Sequence, residues 1–209
     1  MKKYKIVEDY LDELIPNPKC ELNYFNDYSL LIAIMLSAQT TDKRVNEVTK
    51  VLFDKYKTLE ELSKTNIKDL ENIIHPLGNF RKKAYNVHEI ARILNDEYKG
   101  IVPSDRNILE SLPGVGRKTV NVFYSEYLGI PAIAVDTHVE RVCKRLKLAK
   151  NTDNVLEVEK KLMKNFDKEN WNKRHLQLVL FGRYFCKAIS PQCTNCKLVN
   201  ICNKKRVSN

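Results

Sequence analysis

Leu112-Pro113-Gly114-Val115-Gly116-Arg117-Lys118-Thr119 decides how the rest of the chain is read. It predicts a short helix, a tight hairpin and a second helix. Pro113 lacks an N–H and disfavours helical geometry in the residue before it, so the first helix stops there. Gly114 and Gly116 let the backbone turn and leave amides bare enough for a ligand to approach. The second helix opens on Arg117 and Lys118, although a helix N-terminus already carries partial positive charge and orphan N–H groups. Two cations there make electrostatic sense if a phosphate arrives from outside. Taken alone, the hairpin equally fits an ordinary helix–turn–helix corner with a surface lysine. It is not a nucleotide-binding P-loop, because the spacing departs from GxxxxGK[ST] and no strand clearly precedes it.

The flanking chain reads as helices. Residues 3–14 predict an amphipathic helix with Ile6, Val7, Tyr10, Leu11 and Leu14 apolar, ended near Pro16 and Pro18. Tyr28 to Leu36 is apolar all round, the pattern of a helix buried on most sides. It leads into Ser37-Ala38-Gln39-Thr40-Thr41-Asp42, where Thr41 or Asp42 can cap a helix carrying Val45, Val48, Leu52 and Tyr56. Thr58 and Glu61 fit a capping box, and Asn66 caps a helix with Ile67, Leu70, Ile73 and Ile74 inward. Pro76 and Gly78 break the chain before a long helix over 80–98, and Ser104 is placed to cap the helix entering the hairpin. Beyond the hairpin, Val120, Phe123, Tyr124, Tyr127 and Leu128 supply a core face. Ile130 to Val135 has strand composition but stands alone, so an extended connector is expected. Asp136 or Thr137 then starts a helix through Val139, Val142, Cys143 and Leu146, followed by helices at about 154–166 and 170–185. The fold class is all-α.

The chain has 209 residues, 43 % of them hydrophobic, enough for one large or two small domains with a sizeable core. A net charge of +10 and a pI of about 9.2 favour a polyanionic partner. From Asn170 to Asn209 there are eight Lys or Arg and no Asp or Glu, so the charge is concentrated at that end. No signal peptide and no membrane span are expected, which points to the cytosol, where clustered thiols bind metal rather than form disulfides.

Four cysteines are clustered. Cys186, Cys193, Cys196 and Cys202 are separated by six, two and five residues, close enough for four thiolates to converge on one site. Spacing alone leaves a structural zinc and a [4Fe–4S] cluster both open. Cys20 and Cys143 lie outside the pattern and read as structural.

From LPGVGRKT at 112–119 and VDTH at 135–138, the chain resembles the endonuclease III family of base-excision DNA glycosylases. LSAQTTD at 36–42 and the cysteine tail extend the resemblance over nearly the whole chain. The resemblance implies a helix-hairpin-helix fold of two helical lobes with a cleft between them, one at 22–130 holding the hairpin and one joining 1–21 to 131–209. It implies a bifunctional glycosylase and β-lyase on oxidised pyrimidines. Its substrate would be double-stranded DNA carrying damaged bases or abasic sites, handled by a monomer in the prokaryotic cytoplasm, on the nucleoid.

The lyase nucleophile falls on Lys118 and its carboxylate partner on Asp136. Neighbouring positive charge and desolvation both favour the unprotonated, nucleophilic lysine. Asp136 also reads as a plain helix cap. DNA contacts fall on Gln39, Asn79, Gly114, Gly116 and His138. Asn79 stands where relatives often carry a larger apolar residue. The four cysteines would hold a [4Fe–4S] cluster that braces the loop between Cys186 and Cys193. That loop carries only Lys187, so its contribution to DNA binding is expected to be either weaker or shifted to Lys197, Lys204, Lys205 and Arg206. Two other readings are a monofunctional mismatch glycosylase and a non-catalytic, zinc-stapled DNA-binding module.

Overall fold

The structure, a computed structural model, describes residues 2–203. Lys204, Lys205 and Arg206 lie outside the described residues. Among the described residues every regular element is helical. In order they are α1 (Lys2–Leu14), α2 (Asp27–Leu36), α3 (Asp42–Lys55), α4 (Leu59–Ser63), α5 (Ile67–Ile74), α6 (Phe80–Tyr98), α7 (Arg106–Ser111), α8 (Arg117–Phe123), α9 (Thr137–Arg145), α10 (Val155–Asn165) and α11 (Trp171–Leu180). Short π and 3-10 turns join or extend them. The chain divides into two compact units, Glu21–Phe123 and Met1–Cys20 with Tyr124–Asn209.

The Glu21–Phe123 unit is built around α2. Residues Tyr28 to Leu36 are all buried, as a helix apolar on every side requires. Its start is fixed by reciprocal bonds: the Asn26 side chain accepts from Ser29 N–H, and Ser29 Oγ accepts from Asn26 N–H, each at 3.0 Å. α3, α6 and α8 pack on α2, and α4 and α5 pack on α6. Thr41, Thr58 with Glu61, and Asn66 cap α3, α4 and α5. The cap of α7 is Asp105 rather than Ser104: one Asp105 carboxylate oxygen accepts from Asn107 and Ile108 N–H at 2.8 and 3.1 Å. A carboxylate both accepts those bonds and complements the helix dipole, which a hydroxyl does less well.

The helix after the hairpin keeps Val120 and Phe123 buried, but Tyr127 is exposed. At Tyr124 it widens into a π turn over Tyr124–Leu128. That extra residue per turn rotates later side chains off the 3.6-residue stripe. The residues that follow, Ala132 to Val135, form a buried extended connector with no partner strand among the described residues.

In the unit Met1–Cys20 with Tyr124–Asn209, Val7 and Leu11 of α1 meet Val139, Val142 and Cys143 of α9, Val158 and Leu162 of α10, and Leu178 of α11. A buried arginine ties α1 to α11. Arg174 Nη1 and Nη2 donate to the two carboxylate oxygens of Asp12 at 2.7 and 2.9 Å, and Nε donates to Glu8 at 3.2 Å. Arg174, helped by Lys173 and Gln177, holds the Asp12 carboxyl well below the usual carboxylate range. A carboxyl depressed in the folded state stabilises above its unfolded pKa of about 3.9 and loses that contribution as pH falls through the folded value. Asp12→Asn is expected to cost about 2 kcal/mol at neutral pH, less than a fully buried pair because Asp12 is partly exposed. The same change flattens the loss of stability below about pH 4. Urea melts across that range check both.

Candidate active site

The hairpin follows from its sequence. α7 stops at Ser111, and Leu112, held extended by Pro113, accepts a hydrogen bond from Val115 N–H at 3.0 Å. Leu112 and Val115 are buried beneath the turn. Gly114 is required twice. Its φ is +77°, and an added Cβ would lie 2.2 Å from Asn86 Nδ2 and 3.3 Å from Met35 Cγ. Gly114→Ala combines left-handed strain with overpacking against α6, for an expected loss of about 3 kcal/mol by denaturant melting. Gly116 differs from the sequence reading. It is not left-handed, and a Cβ there meets nothing within 4 Å. The turn belongs to Gly114, while Gly116 leaves an uncovered stretch of backbone. α8 begins at Arg117, with Lys118 in its first turn. Lys118 is exposed, with no ion pair or hydrogen bond among the described residues. The expected desolvation of its amine is therefore not supplied by its own unit, because the first turn of α8 faces solvent there.

Two further turns in the same unit carry Gln39 and Asn79. Each has φ 56°, in the left-handed region that non-glycine residues rarely occupy. Thr40 N–H donates to Ser37 O at 3.1 Å, so Gln39 stands third in a turn where glycine is favoured. Asn79 opens α6 without a side-chain cap bond. Both side chains are exposed and without a hydrogen bond among the described residues. Strained turns of this kind also occur at helix ends, as at Lys99, and cluster at binding and active sites.

Asp136 starts α9, and its Oδ1 accepts from His138 and Val139 N–H, each at 2.8 Å. The cap is real, and it occupies one oxygen; Oδ2 makes no hydrogen bond among the described residues. Arg141, one turn further on, donates from Nη2 to Gly182 O at 2.7 Å and from Nε to Cys186 O at 3.2 Å. Its Nη2 also lies 3.2 Å from His138 Nδ1. Arginine only donates, so Nδ1 accepts and the proton sits on Nε2, free to face a ligand. Gly182 permits this packing: a Cβ there would come within 2.9 Å of His138 Cβ and 3.0 Å of His138 O.

Cys186, Cys193, Cys196 and Cys202 line one cavity of about 240 Å³, walled by Tyr10, Leu14, Leu146, Phe181, Phe185 and Val199. None of the four is in a disulfide. Burial, with the other three sulfurs nearby, pushes the Cys196 thiol up. Arg145 binds the first ligand segment, donating from Nη1 to Lys187 O at 2.6 Å, Cys186 O at 3.2 Å and Cys186 Sγ at 3.4 Å. Among the described residues no three or more His, Cys, Asp or Glu form a group that could hold a metal ion. Cys143 is fully buried and its thiol is pushed up by burial, as a structural cysteine. Lys197 pairs with Glu13, both side chains being largely exposed.

A family model described as HhH-GPD superfamily base excision DNA repair protein matches residues 32–168. Endonuclease III of Bacillus subtilis (strain 168) is 46% identical over 204 residues, covering 98% of this chain and 93% of that protein. The chain belongs to the endonuclease III family. Endonuclease III of Escherichia coli (strain K12) is 42% identical over 195 residues, covering 93% of this chain and 92% of that protein. A solved trapped endonuclease III–DNA covalent intermediate, an estranged-adenine complex, matches at 49% identity with a TM-score of 0.92, covering 97% of this chain and 96% of that one. The all-α helix-hairpin-helix fold expected from sequence is the fold observed.

Some of the residues that support these candidate positions leave no mark in the sequence. Arg141 and Arg145 lie four apart on α9 and so share a face, but in a chain with 36 Lys and Arg such a pair looks like solvated surface. Asn86 and Lys83 sit on α6 among other polar residues, with nothing in the pattern to mark them as buried.

Proposed function

We propose that this chain removes oxidised pyrimidines from double-stranded DNA and then cleaves the abasic strand by β-elimination, with Lys118 as nucleophile and Asp136 as its carboxylate partner. Base-excision repair by a DNA glycosylase and abasic-site lyase goes with membership of the endonuclease III family. The observation that carries the lyase assignment is Lys118 itself: an exposed, uncommitted amine beside the open Gly116 backbone. A glycosylase that only activates water has no need of an amine there.

The unprotonated Lys118 Nζ attacks C1′ of the damaged nucleotide, and the N-glycosidic bond breaks with its electron pair leaving on the base. The Asp136 carboxylate steadies the positive charge that develops on the sugar and takes a proton from the attacking amine. The base anion takes a proton from water, and ring opening, with the proton on Asp136 passing to O4′, gives a protonated imine between Nζ and C1′, which acidifies the C2′ hydrogens so that water can remove one. Loss of one of them expels the 3′ phosphate, and water releases the enzyme. Because Lys118 is exposed in its own unit, the DNA itself would exclude water around the amine.

A base in the stack must be extruded first, at a cost of a few kcal/mol. We assign the vacated space to Gln39 and Asn79, whose exposed side chains project from left-handed turns. Asn79 fills less volume than a large apolar residue but can hydrogen-bond an orphaned base. Gly114 and Gly116 bring the hairpin backbone to a phosphate, and His138 donates from Nε2 to another.

The donor set at the tail fits a [4Fe–4S] cluster held by Cys186, Cys193, Cys196 and Cys202. One zinc ion with sulfurs about 2.3 Å away requires them about 3.8 Å apart. Among the described residues the four cysteines line one cavity without forming a group that could hold a single metal ion, so Cys186, Cys193, Cys196 and Cys202 would suit a cluster with several irons better, and it would supply a crosslink rather than chemistry on the substrate. When bound, the cluster crosslinks the tail and supports the loop between Cys186 and Cys193. Product analysis on single-lesion duplexes tests the whole reading. Release of oxidised pyrimidines with a β-elimination product, by protein containing iron and acid-labile sulfide, supports it. Base release without strand cleavage, or a colourless zinc protein, contradicts it.

A further inference from the structure

Lys83 is an anomaly within α6. It is only 6 % exposed, yet it makes no ion pair among the described residues. Its ammonium donates to Ala38 O at 2.8 Å and to Thr40 Oγ1 at 3.1 Å, both uncharged. Burying an ammonium without a counter-charge is costly, and burial lowers its pKa. An apolar residue of similar length would avoid that cost on the inner face of α6, beside Ala84 and Val87. The place of the charge suggests what it does. Ala38 and Thr40 flank Gln39, so Lys83 grips the strained turn on both sides. Lys83 N–H also donates to Asn79 O at 3.1 Å, closing the first turn of α6 behind the second strained residue.

We propose that Lys83 is a positioning residue that couples the Gln39 and Asn79 turns into one device, and thereby sets how well the enzyme holds DNA open and reads the base opposite the lesion. This rests on the reading of Gln39 and Asn79 as the residues that occupy the vacated space. Two left-handed turns from separate parts of the chain must enter the same gap together. Independent loops would each lose conformational freedom at that moment. The two side-chain hydrogen bonds from Lys83, one turn into the helix that Asn79 opens, tie the Gln39 turn to that helix and remove part of that freedom beforehand. Lys83 needs no contact with the reacting atoms.

The test uses the full chain with its cluster, in four variants. Lys83→Met keeps the stem and deletes the donors; Lys83→Arg keeps donors and charge. Thr40→Val removes one acceptor without touching Lys83, and so stands in should Lys83→Met fail to fold. Gln39→Ala tests the underlying reading. Lesion excision from duplexes is measured with each of the four opposite bases. Base extrusion is followed by 2-aminopurine fluorescence beside the lesion. Cleavage of a preformed abasic site in a single strand, which needs no extrusion, is the reference.

Lys83→Met is expected to lower kcat on duplex lesions ten- to a hundred-fold, on the order of what misplacement of about 1 Å costs, and to level the opposite-base ratios. Single-strand cleavage stays within about twofold, Lys83→Arg recovers most of the loss, and Thr40→Val moves the same way by a smaller factor. Equal losses on duplex and single strand would overturn the proposal, since they indicate a general defect. So would normal extrusion in Lys83→Met and Thr40→Val while Gln39→Ala is impaired, which leaves the Gln39 reading standing. Normal extrusion in Gln39→Ala as well would remove that reading and the proposal with it.

Discussion

Lys118→Ala is expected to abolish strand cleavage and lower base release on the order of 10⁴- to 10⁶-fold, the range seen when a covalent nucleophile is removed. Arg117 is adjacent but its guanidinium stays protonated and cannot form an imine. Lys118 makes no bond among the described residues, so its removal breaks no contact and melting should stay within about 0.5 kcal/mol of the parent. DNA binding at low salt is expected to fall only modestly, by the share of one cation. A lysine that merely contacted phosphate would behave in the opposite way, weakening binding while leaving the cleavage rate at saturation intact. Cleavage of an abasic duplex under saturating enzyme, beside a filter-binding titration, separates the two.

Asp136→Asn is expected to lower base release on the order of 10²- to 10⁴-fold with melting unchanged. The substitution is chosen for its geometry. Asparagine caps helices as well as aspartate, so its side-chain oxygen still accepts from His138 and Val139 N–H. What disappears is the charge on Oδ2, the oxygen that the cap does not use. Asp136→Ala loses the same activity and, in addition, about 1 kcal/mol of stability with the cap. If Asp136 were only a cap, Asp136→Asn would be silent and Asp136→Ala would show a stability loss alone. Excision rates under single turnover, paired with thermal melts of both variants, distinguish the cases.

The helical framework was readable because its signals are local. Tyr28 to Leu36 declares itself buried by having no polar face, Thr58 and Glu61 form a capping box within four residues, and Pro113 with Gly114 marks the hairpin. Gly116 was misjudged as a turning glycine because two glycines two residues apart look alike until backbone angles are known. The cap of α7 falls on Asp105 and not on the expected Ser104, because both residue types cap well and the pattern does not separate neighbours. The exposure of Tyr127 follows from a π turn, which no apolar stripe announces. The candidate residues Lys118, Asp136 and the four cysteines stand in short motifs. The residues that hold them do not: Arg141 and Arg145 earn their roles from carbonyls more than forty positions away, at Gly182, Cys186 and Lys187. Lys83 reaches back a similar distance to Ala38 and Thr40. Partners so distant in sequence are set by tertiary packing and leave no periodic trace.

The central claim is that an amine of this chain becomes covalently bonded to the sugar. Borohydride reduces an imine to a stable secondary amine, so it captures that bond if it forms. A duplex carrying one oxidised pyrimidine is incubated with the full chain and borohydride, the adduct is digested, and the modified peptide is sequenced by mass spectrometry. The account predicts a single trapped species, with the sugar on Lys118, absent in Lys118→Ala. No trapped species during active excision, or trapping undiminished in Lys118→Ala, would contradict it.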